Sequence, residues 1–225
     1  MFYFTHTRKP DFKNISKIDY EEYWRRRSSH LRSKMMDREK IFFDWVRPGS
    51  EVLDVGCGNS RLLFELKEKK NCRVFGTDIS RYAVSMLKEN GIDALALDLE
   101  QLDLSAFAGK KFDYIIFNEV LENISNPEDV VLNFKKIGSE LLFSIPNAAF
   151  YRYRLHLFFI GRFITQWFYH PSESIRFWSH KDFKEWLAAL DLQISETKIA
   201  SGFEPLMNYF KNLFGYHICY RTNNK

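Results

Sequence analysis

Cysteine is scarce in this sequence, and the three cysteines that do occur lie far apart. Cys57, Cys72 and Cys219 form no C-x-x-C pair, which disfavours both a disulfide framework and a zinc site. Reduced, widely spaced thiols of this kind are typical of the cytosol. We therefore expect a cytoplasmic protein without a bound metal.

A long apolar run and a strong excess of one charge are also missing. Residues 155–169 are the most apolar stretch, but Gly161 and Arg162 interrupt them and the stretch is too short to span a bilayer. Residues 1–9 are aromatic and polar, without the apolar core of a signal peptide. The net charge of +4, from 33 basic and 29 acidic residues, does not by itself argue for a nucleic-acid partner. The sequence predicts a soluble protein, and nucleic-acid binding is not favoured.

Apolar, strand-like segments alternate with helix-like segments along most of the chain. Strands are predicted at residues 51–55, 73–78, 93–98, 112–117, 140–145, 193–199 and 216–221. Helices are predicted after the first, second, fourth and fifth strands, with cap residues at Ser80, Asn126 and Ser179. A further, basic helix is predicted from Tyr20 through Phe43. This alternation indicates an α/β fold with a doubly wound, Rossmann-like sheet, mostly parallel, whose last two strands form an antiparallel hairpin at one edge.

A glycine loop follows the first predicted strand, in the sequence Asp54-Val-Gly-Cys-Gly58. In doubly wound sheets, ligands bind outside the carboxyl ends of the strands near this turn. Acidic residues end the next two strands. Asp78 lies 20 residues after Gly58 (78 − 58) and can accept hydrogen bonds from both hydroxyls of a ribose. Asp98 ends the third strand, within reach of an adenine amino group.

A dinucleotide is the obvious alternative ligand for such a loop, and two features argue against it. The third glycine of a G-x-G-x-x-G motif would fall at position 61, which is Arg61. Asp54 would repel a pyrophosphate, whereas the ammonium and sulfonium groups of S-adenosylmethionine (SAM) would be attracted by it. The pattern therefore favours SAM as the cofactor.

These segments resemble the motifs of class I SAM-dependent methyltransferases. V-L-D-V-G-C-G resembles the first motif of that family, G-T-D-I-S the second-strand acid, L-A-L-D-L the third-strand motif and F-D-Y-I-I-F-N-E-V-L-E-N-I the fourth. The resemblance covers about residues 45–222. It implies that Asp54, Gly56 and Gly58 contact the methionine end of SAM, with Cys57 as a further cofactor residue. It implies that Asp78 holds the ribose, that Ile79 and Leu99 flank the adenine and that Asp98 contacts its amino group. Asn118 and Glu119 would face the methionine moiety or the acceptor.

An aromatic insert, residues 147–181, separates the fifth strand from the helix that Ser179 caps. It contains 11 aromatic residues together with Arg152, Arg154 and Arg162. Three interpretations stay open: a helical lid packed on the core, which is favoured, a cage around the substrate, and a patch that touches a membrane. The insert resembles two narrower groups, the methionine-biosynthesis protein MetW and methyltransferases linked to sugar or glycan assembly.

The resemblance implies two segments and an enzymatic function. We expect an N-terminal helical lid over residues 1–45 and a SAM-binding domain over residues 46–225, with the insert as a substrate cap. The expected activity is methyl transfer to a small-molecule or sugar-containing acceptor. Candidate general bases are Glu119, Glu122, His156 and His170. The alternative, which the MetW resemblance implies, is a SAM-binding accessory protein that partners a biosynthetic enzyme.

Overall fold

Seven strands form a single sheet in the described part of the chain. The computed structural model describes residues 18–27, 31–161 and 174–224. The strands are β1 (Glu51–Val55), β2 (Arg73–Asp78), β3 (Asp93–Ala96), β4 (Phe112–Asn118), β5 (Gly138–Pro146), β6 (Leu192–Gly202) and β7 (Gly215–Asn224). Their order is β3-β2-β1-β4-β5-β7-β6. β1 to β5 are parallel, and β7 runs antiparallel to both β5 and β6. The predicted sheet and its antiparallel edge hairpin are confirmed.

α-Helices of the described residues connect most of the parallel strands, except β3 and β4. They are α1 (Tyr20–Arg27), α2 (Asp37–Trp45), α3 (Arg61–Lys70), α4 (Arg81–Glu89), α5 (Pro127–Lys135), α6 (Tyr151–Ile160), α7 (His180–Ala189) and α8 (Lys211–Phe214). The predicted caps are confirmed. Ser80 Oγ accepts a hydrogen bond from the Ala83 amide at 3.1 Å, and Ser179 forms a capping box with Asp182. None of these helices is long and apolar enough to cross a membrane.

The core lies on both faces of the sheet because successive strand residues point to opposite sides. On β4, Ile115 and Phe117 face a cluster that includes Phe134 of α5 and Phe183 of α7. Tyr114 and Ile116 face the other cluster, which contains residues of α2, α3 and α4. Continuous apolar strands of this kind are typical of sheets covered on both faces. The two layers hold the carboxyl ends of β1 to β5 at one edge.

The single helix predicted from Tyr20 through Phe43 is wrong. Residues 31–36 are not helical and separate α1 from α2. The Arg32 amide donates to the Asn59 carbonyl at 3.3 Å, and the Arg32 guanidinium pairs with the buried Glu39. The Glu39 carboxylate also accepts from the Met36 amide at 2.7 Å, which caps α2. These contacts with the glycine loop and with Glu39 outweigh the local helix propensity of the segment.

Candidate functional site

A large cavity opens at the edge where the parallel strands end. Its volume is about 930 Å³. One end of the cavity is lined by α1 and by residues at or just after the carboxyl ends of β1, β2 and β3. The other end is lined by residues at the ends of β4 and β5, at the start of β7 and in α6. This is the edge at which doubly wound sheets bind ligands. The cavity is also within the size range of small-molecule sites.

The glycine loop allows other side chains to approach its backbone closely. Gly56 and Gly58 have φ values of +69° and +52°, a region that favours glycine. A Cβ at Gly56 would lie 2.5 Å from Val120 Cγ2, and one at Gly58 would collide with the Trp24 ring of α1. Both positions therefore require glycine. Gly56 and Cys57 line the cavity, whereas Trp24 covers Gly58.

Asp78 lies at the end of β2, buried against the glycine loop and lining the cavity. Its Oδ2 accepts a hydrogen bond from the Gly58 amide at 2.8 Å, and its Oδ1 accepts one from the Ser80 amide at 2.9 Å. Burial raises the pKa of Asp78 to about 6 despite these two amide donors. Nearby Glu21 of α1 adds to the increase in pKa. A buried carboxylate with unused lone pairs fits a ligand that donates two hydroxyls.

The neighbouring lining residues form an apolar slot with an acid at its edge. Ile79, Leu97 and Leu99 line the cavity, and the Ile79 side chain is 45% exposed. β3 ends at Ala96, so Asp98 lies two residues beyond the strand instead of ending it. Its Oδ1 accepts a hydrogen bond from the Glu100 amide at 2.9 Å. Flat apolar walls beside Asp78 and Asp98 fit a purine nucleoside, which is the adenosine part of SAM.

Asp54 lies outside the cavity, fully buried behind the glycine loop. Burial raises the pKa of Asp54 to about 8, and repulsion from Glu39 is the second largest cause of the increase. Ser60 and the positive charge of Arg32 oppose it. In this structure the Asp54 side chain therefore does not present its charge to the cavity. Its contact with the methionine end of a ligand stays a prediction.

A charged cluster at the end of β4 lines the opposite end of the cavity. The Glu119 carboxylate lies 2.9 Å from the Arg38 guanidinium and 3.1 Å from His217 Nε2. Asn118 Oδ1 accepts from Arg38 Nε at 2.7 Å and from Ser144 Oγ at 2.8 Å. Glu119 has a φ of +56°, which is unfavourable for a non-glycine residue and typical of functional sites. The predicted residues Asn118 and Glu119 thus lie side by side, each in contact with Arg38.

His217 lies between Ser201 and Glu119, beside the charged cluster. Burial lowers the pKa of His217, so the ring is neutral at pH 7. Nδ1 lies 2.8 Å from Ser201 Oγ, which can donate to it. Nε2 lies 3.1 Å from Glu119 Oε1, but the contact lacks the geometry of a hydrogen bond, so that buried oxygen has no donor among the described residues. Glu119 is thus held by its ion pair with Arg38, and the imidazole packs beside its other oxygen.

Aromatic side chains complete this end of the cavity. Tyr153 of α6, Tyr216 of β7, Phe177 and Trp178 line it. Burial raises the pKa of the Tyr153 phenol, so the phenol stays neutral and can donate a hydrogen bond. The insert residues that line the cavity therefore include Tyr153 and the stretch just before α7.

The other three candidate bases differ in their position. Glu122 is 5% exposed and lines the cavity close to Glu119 along the chain. His156 is buried in α6 and does not line the cavity. His170 lies outside the described residues. The catalytic role of each stays a prediction.

Sequence reasoning missed several residues that the fold brings to the cavity. Arg38 is 80 residues from Asn118 along the chain, and His217 lies almost a hundred residues beyond it. Trp24 and Glu21 reach the glycine loop and α4 from α1. The aromatic and arginine residues of the N-terminal segment are the available signal for such contacts, but they do not indicate which of these residues reaches the cavity.

Comparison with known proteins identifies the family. A family model described as methionine biosynthesis protein MetW matches residues 36–222, which is more than half of the chain. The chain belongs to the MetW family. The match begins just before α2 and ends within β7, so it includes β1 to β6 in full and most of β7.

Curated relatives of this MetW-family chain include both MetW and methyltransferase proteins. The bifunctional methionine biosynthesis protein MetXA/MetW of Rhodopirellula baltica is 28% identical over 176 residues, covering 72% of this chain and 28% of that protein. The ubiquinone biosynthesis O-methyltransferase of Hahella chejuensis is 26% identical over 180 residues, covering 73% of this chain and 71% of that protein. The chain thus spans less than a third of the length of the MetXA/MetW relative.

Solved structures show the same fold. One is the crystal structure of the 1,6-didemethyltoxoflavin-N1-methyltransferase of Burkholderia thailandensis with bound 1,6-didemethyltoxoflavin and S-adenosylhomocysteine. Its TM-score is 0.57 at 14% sequence identity, and the match covers 84% of this chain and 76% of that chain. The fold of the MetW-family chain is that of class I SAM-dependent methyltransferases, as the sequence predicts. The comparisons also bear out SAM as the predicted cofactor.

Proposed function

We propose that the chain is a methyltransferase that binds SAM in the cavity and transfers the methyl group to a small-molecule or sugar-containing acceptor. The observation that carries the proposal is that a single cavity has two chemically different ends. The Asp78 end fits a nucleoside. The Glu119 end offers charged and aromatic side chains to a second molecule.

Residues of the nucleoside end would hold the cofactor. Asp78 would accept hydrogen bonds from the ribose hydroxyls, Ile79 and Leu99 would flank the adenine, and Asp98 would accept from its amino group. When bound, SAM supplies an electrophilic methyl group on a positively charged sulfur. Since the thioether leaves as a neutral group, the protein chiefly has to align the acceptor about 3 Å from that methyl and exclude water.

Residues of the opposite end would hold the acceptor. Glu119 is held by its ion pair with Arg38, so its carboxylate can receive a proton from an acceptor hydroxyl or amine. Tyr153 lines the same cavity and can donate to an acceptor oxygen. Hydroxyl-rich acceptors such as sugars match this mixture of fixed donors, acceptors and aromatic walls.

Two parts of the chain would act as covers. α1 lies across the nucleoside end, where Glu21 accepts hydrogen bonds from Ser80 Oγ at 2.8 Å and the Tyr82 amide at 3.1 Å. Trp24 of α1 covers Gly58. The insert supplies Tyr153 at the other end. These contacts support the division into an N-terminal lid, a cofactor-binding domain and a substrate cap.

Turnover of labelled SAM tests the proposal. The purified full chain is incubated with methyl-labelled SAM and a small-molecule extract of cells, and labelled products are separated by mass. We expect a labelled product with the natural chain and a strongly reduced amount with Glu119→Gln. Glu196→Gln, a matched change at a residue that does not line the cavity, should leave the amount unchanged. Binding of S-adenosylhomocysteine without any labelled product would contradict the enzymatic proposal.

A SAM-binding accessory role is the second candidate, and the MetXA/MetW relative favours it. In that relative a region similar to this chain is one part of a longer bifunctional protein. A separate chain of this family could associate with a biosynthetic enzyme in the same way. Affinity purification of the tagged full chain distinguishes the two candidates. A stable stoichiometric enzyme partner without methyl transfer supports the accessory role, whereas turnover by the isolated chain supports the methyltransferase.

A further inference from the structure

Exposed apolar side chains are concentrated on two adjoining elements. On α6, Phe158 is 81% exposed, Phe159 71% and Ile160 55%. On the connection between β6 and β7, Tyr209 is 80% and Phe210 60% exposed. We call these five residues the α6 patch. Large exposed apolar patches on a protein surface indicate an interaction site.

The α6 patch is continuous because α6 packs against the β6–β7 connection. The Arg154 guanidinium donates to the Asn212 carbonyl at 3.5 Å, and Arg154 lines a shallow depression together with Tyr209 and Phe210. Phe158 is one helical turn beyond Arg154, which is about 6 Å along the helix axis. The aromatic residues of both elements therefore belong to one region of the surface.

The end of α6 is apolar around its whole circumference. Residues 157–160 are four consecutive apolar residues, and each is rotated by about 100° from the last. All four side chains are exposed, at 40% or more. A helix that is apolar on every side requires a nonpolar environment around it, instead of a single partner groove on one face.

The charges beside the α6 patch are positive. Arg152 and Arg154 of α6 are exposed, and Lys211 follows Phe210. The sequence contains no acidic residue between Glu140 and Glu173, and Glu204 is the acid of the β6–β7 connection. This surface would repel a second copy of itself. It is complementary to an anionic layer with an apolar interior.

We propose that the α6 patch binds the surface of an anionic lipid bilayer. Phe158, Phe159 and Ile160 insert among the acyl chains near the headgroups, as apolar residues of interfacial helices do. Arg152 and Arg154 lie at headgroup level, where anionic lipids attract them. Tyr209 lies there too, because aromatic rings with a polar tip favour that depth. This association needs no methyl transfer and does not rest on the proposed function.

Sedimentation with lipid vesicles tests the proposal. The full chain is mixed with vesicles of phosphatidylcholine alone or with phosphatidylglycerol added, and the bound fraction is measured at low and high salt. We expect binding to the anionic vesicles that weakens with salt. The F158S/F159S double variant should bind at least about tenfold more weakly. Arg152→Glu should lower binding about tenfold, because it replaces an attractive charge by a repulsive one.

Matched variants outside the α6 patch serve as controls. Leu132→Ser changes an apolar side chain that is 40% exposed on α5, and Lys88→Glu reverses an exposed charge on α4. Both should bind vesicles like the natural chain.

Several results would overturn the proposal. The first two are absence of binding to anionic vesicles and equal binding by F158S/F159S. The others are a dimer in solution that F158S/F159S dissociates, and a lower melting temperature of F158S/F159S, which would show that the two phenylalanines pack inside the protein.

Discussion

Replacing Asp78 by Asn tests the nucleoside end of the cavity with a change of almost no volume. In the structure the Asp78 carboxylate is buried and lines the cavity, with a backbone amide donating to each oxygen. A ribose would add two hydroxyl donors. Asn provides a single acceptor oxygen, and its amide group would face one of the present donors.

The loss can be estimated from the hydrogen bonds involved. A hydrogen bond to a charged group contributes about 1.5 to 3 kcal/mol. Two such bonds give about 3 kcal/mol at the low end, which corresponds to roughly a hundredfold weaker binding. We therefore expect the Kd for S-adenosylhomocysteine to rise about a hundredfold in Asp78→Asn.

Isothermal titration calorimetry with S-adenosylhomocysteine measures this change. Asp103→Asn provides the matched control, since Asp103 is exposed and does not line the cavity. Circular dichroism checks that both variants are folded. A Kd for folded Asp78→Asn within threefold of the natural value would refute the assignment of Asp78 to the ribose.

Three further predictions concern pH, proton transfer and the core. Affinity for S-adenosylhomocysteine should fall as the pH drops from 7 to 5, because the pKa of Asp78 is about 6 and the ligand hydroxyls favour its ionised form. Calorimetry at several pH values checks this. Glu119→Gln should lower the methyl-transfer rate about a hundredfold or more, as expected for loss of a general base, while the Kd for S-adenosylhomocysteine stays within about threefold. An unchanged rate would exclude Glu119 as the base. Phe134→Ala should lower the free energy of unfolding by about 3 to 5 kcal/mol in urea titrations, because Phe134 is fully buried and its ring centroid lies 5.6 Å from that of Phe117. A loss below about 1 kcal/mol would contradict its place in the core.

Much of the sheet could be predicted from the sequence because its signals are local. Each parallel strand is a short apolar run, since helices cover both faces of the sheet. Caps such as Ser80 and Ser179 act within three residues of their own position. Asp78 and Ile79 follow a strand directly, so the fold alone brings them to the edge where ligands bind.

The remaining features depend on contacts between distant parts of the chain. The helix predicted through Phe43 is interrupted because Arg32 pairs with Glu39 and contacts Asn59, which local propensity does not include. The sequence predicts that Asp54 presents its charge to the ligand, but its burial follows from packing behind the loop.

The partners of Glu119 also come from remote segments. His217 reaches Glu119 only because β7 pairs with β5 in an antiparallel register that places His217 opposite Pro146. No spacing in the sequence indicates that contact.

A crystal structure of the full chain with S-adenosylhomocysteine is the most direct test of the central claim. We predict that the ribose hydroxyls lie within hydrogen-bonding distance of Asp78, with the adenine between Ile79 and Leu99 and the sulfur facing Glu119. Density for the ligand at another place, or a cavity that stays empty at saturating ligand, would contradict the account.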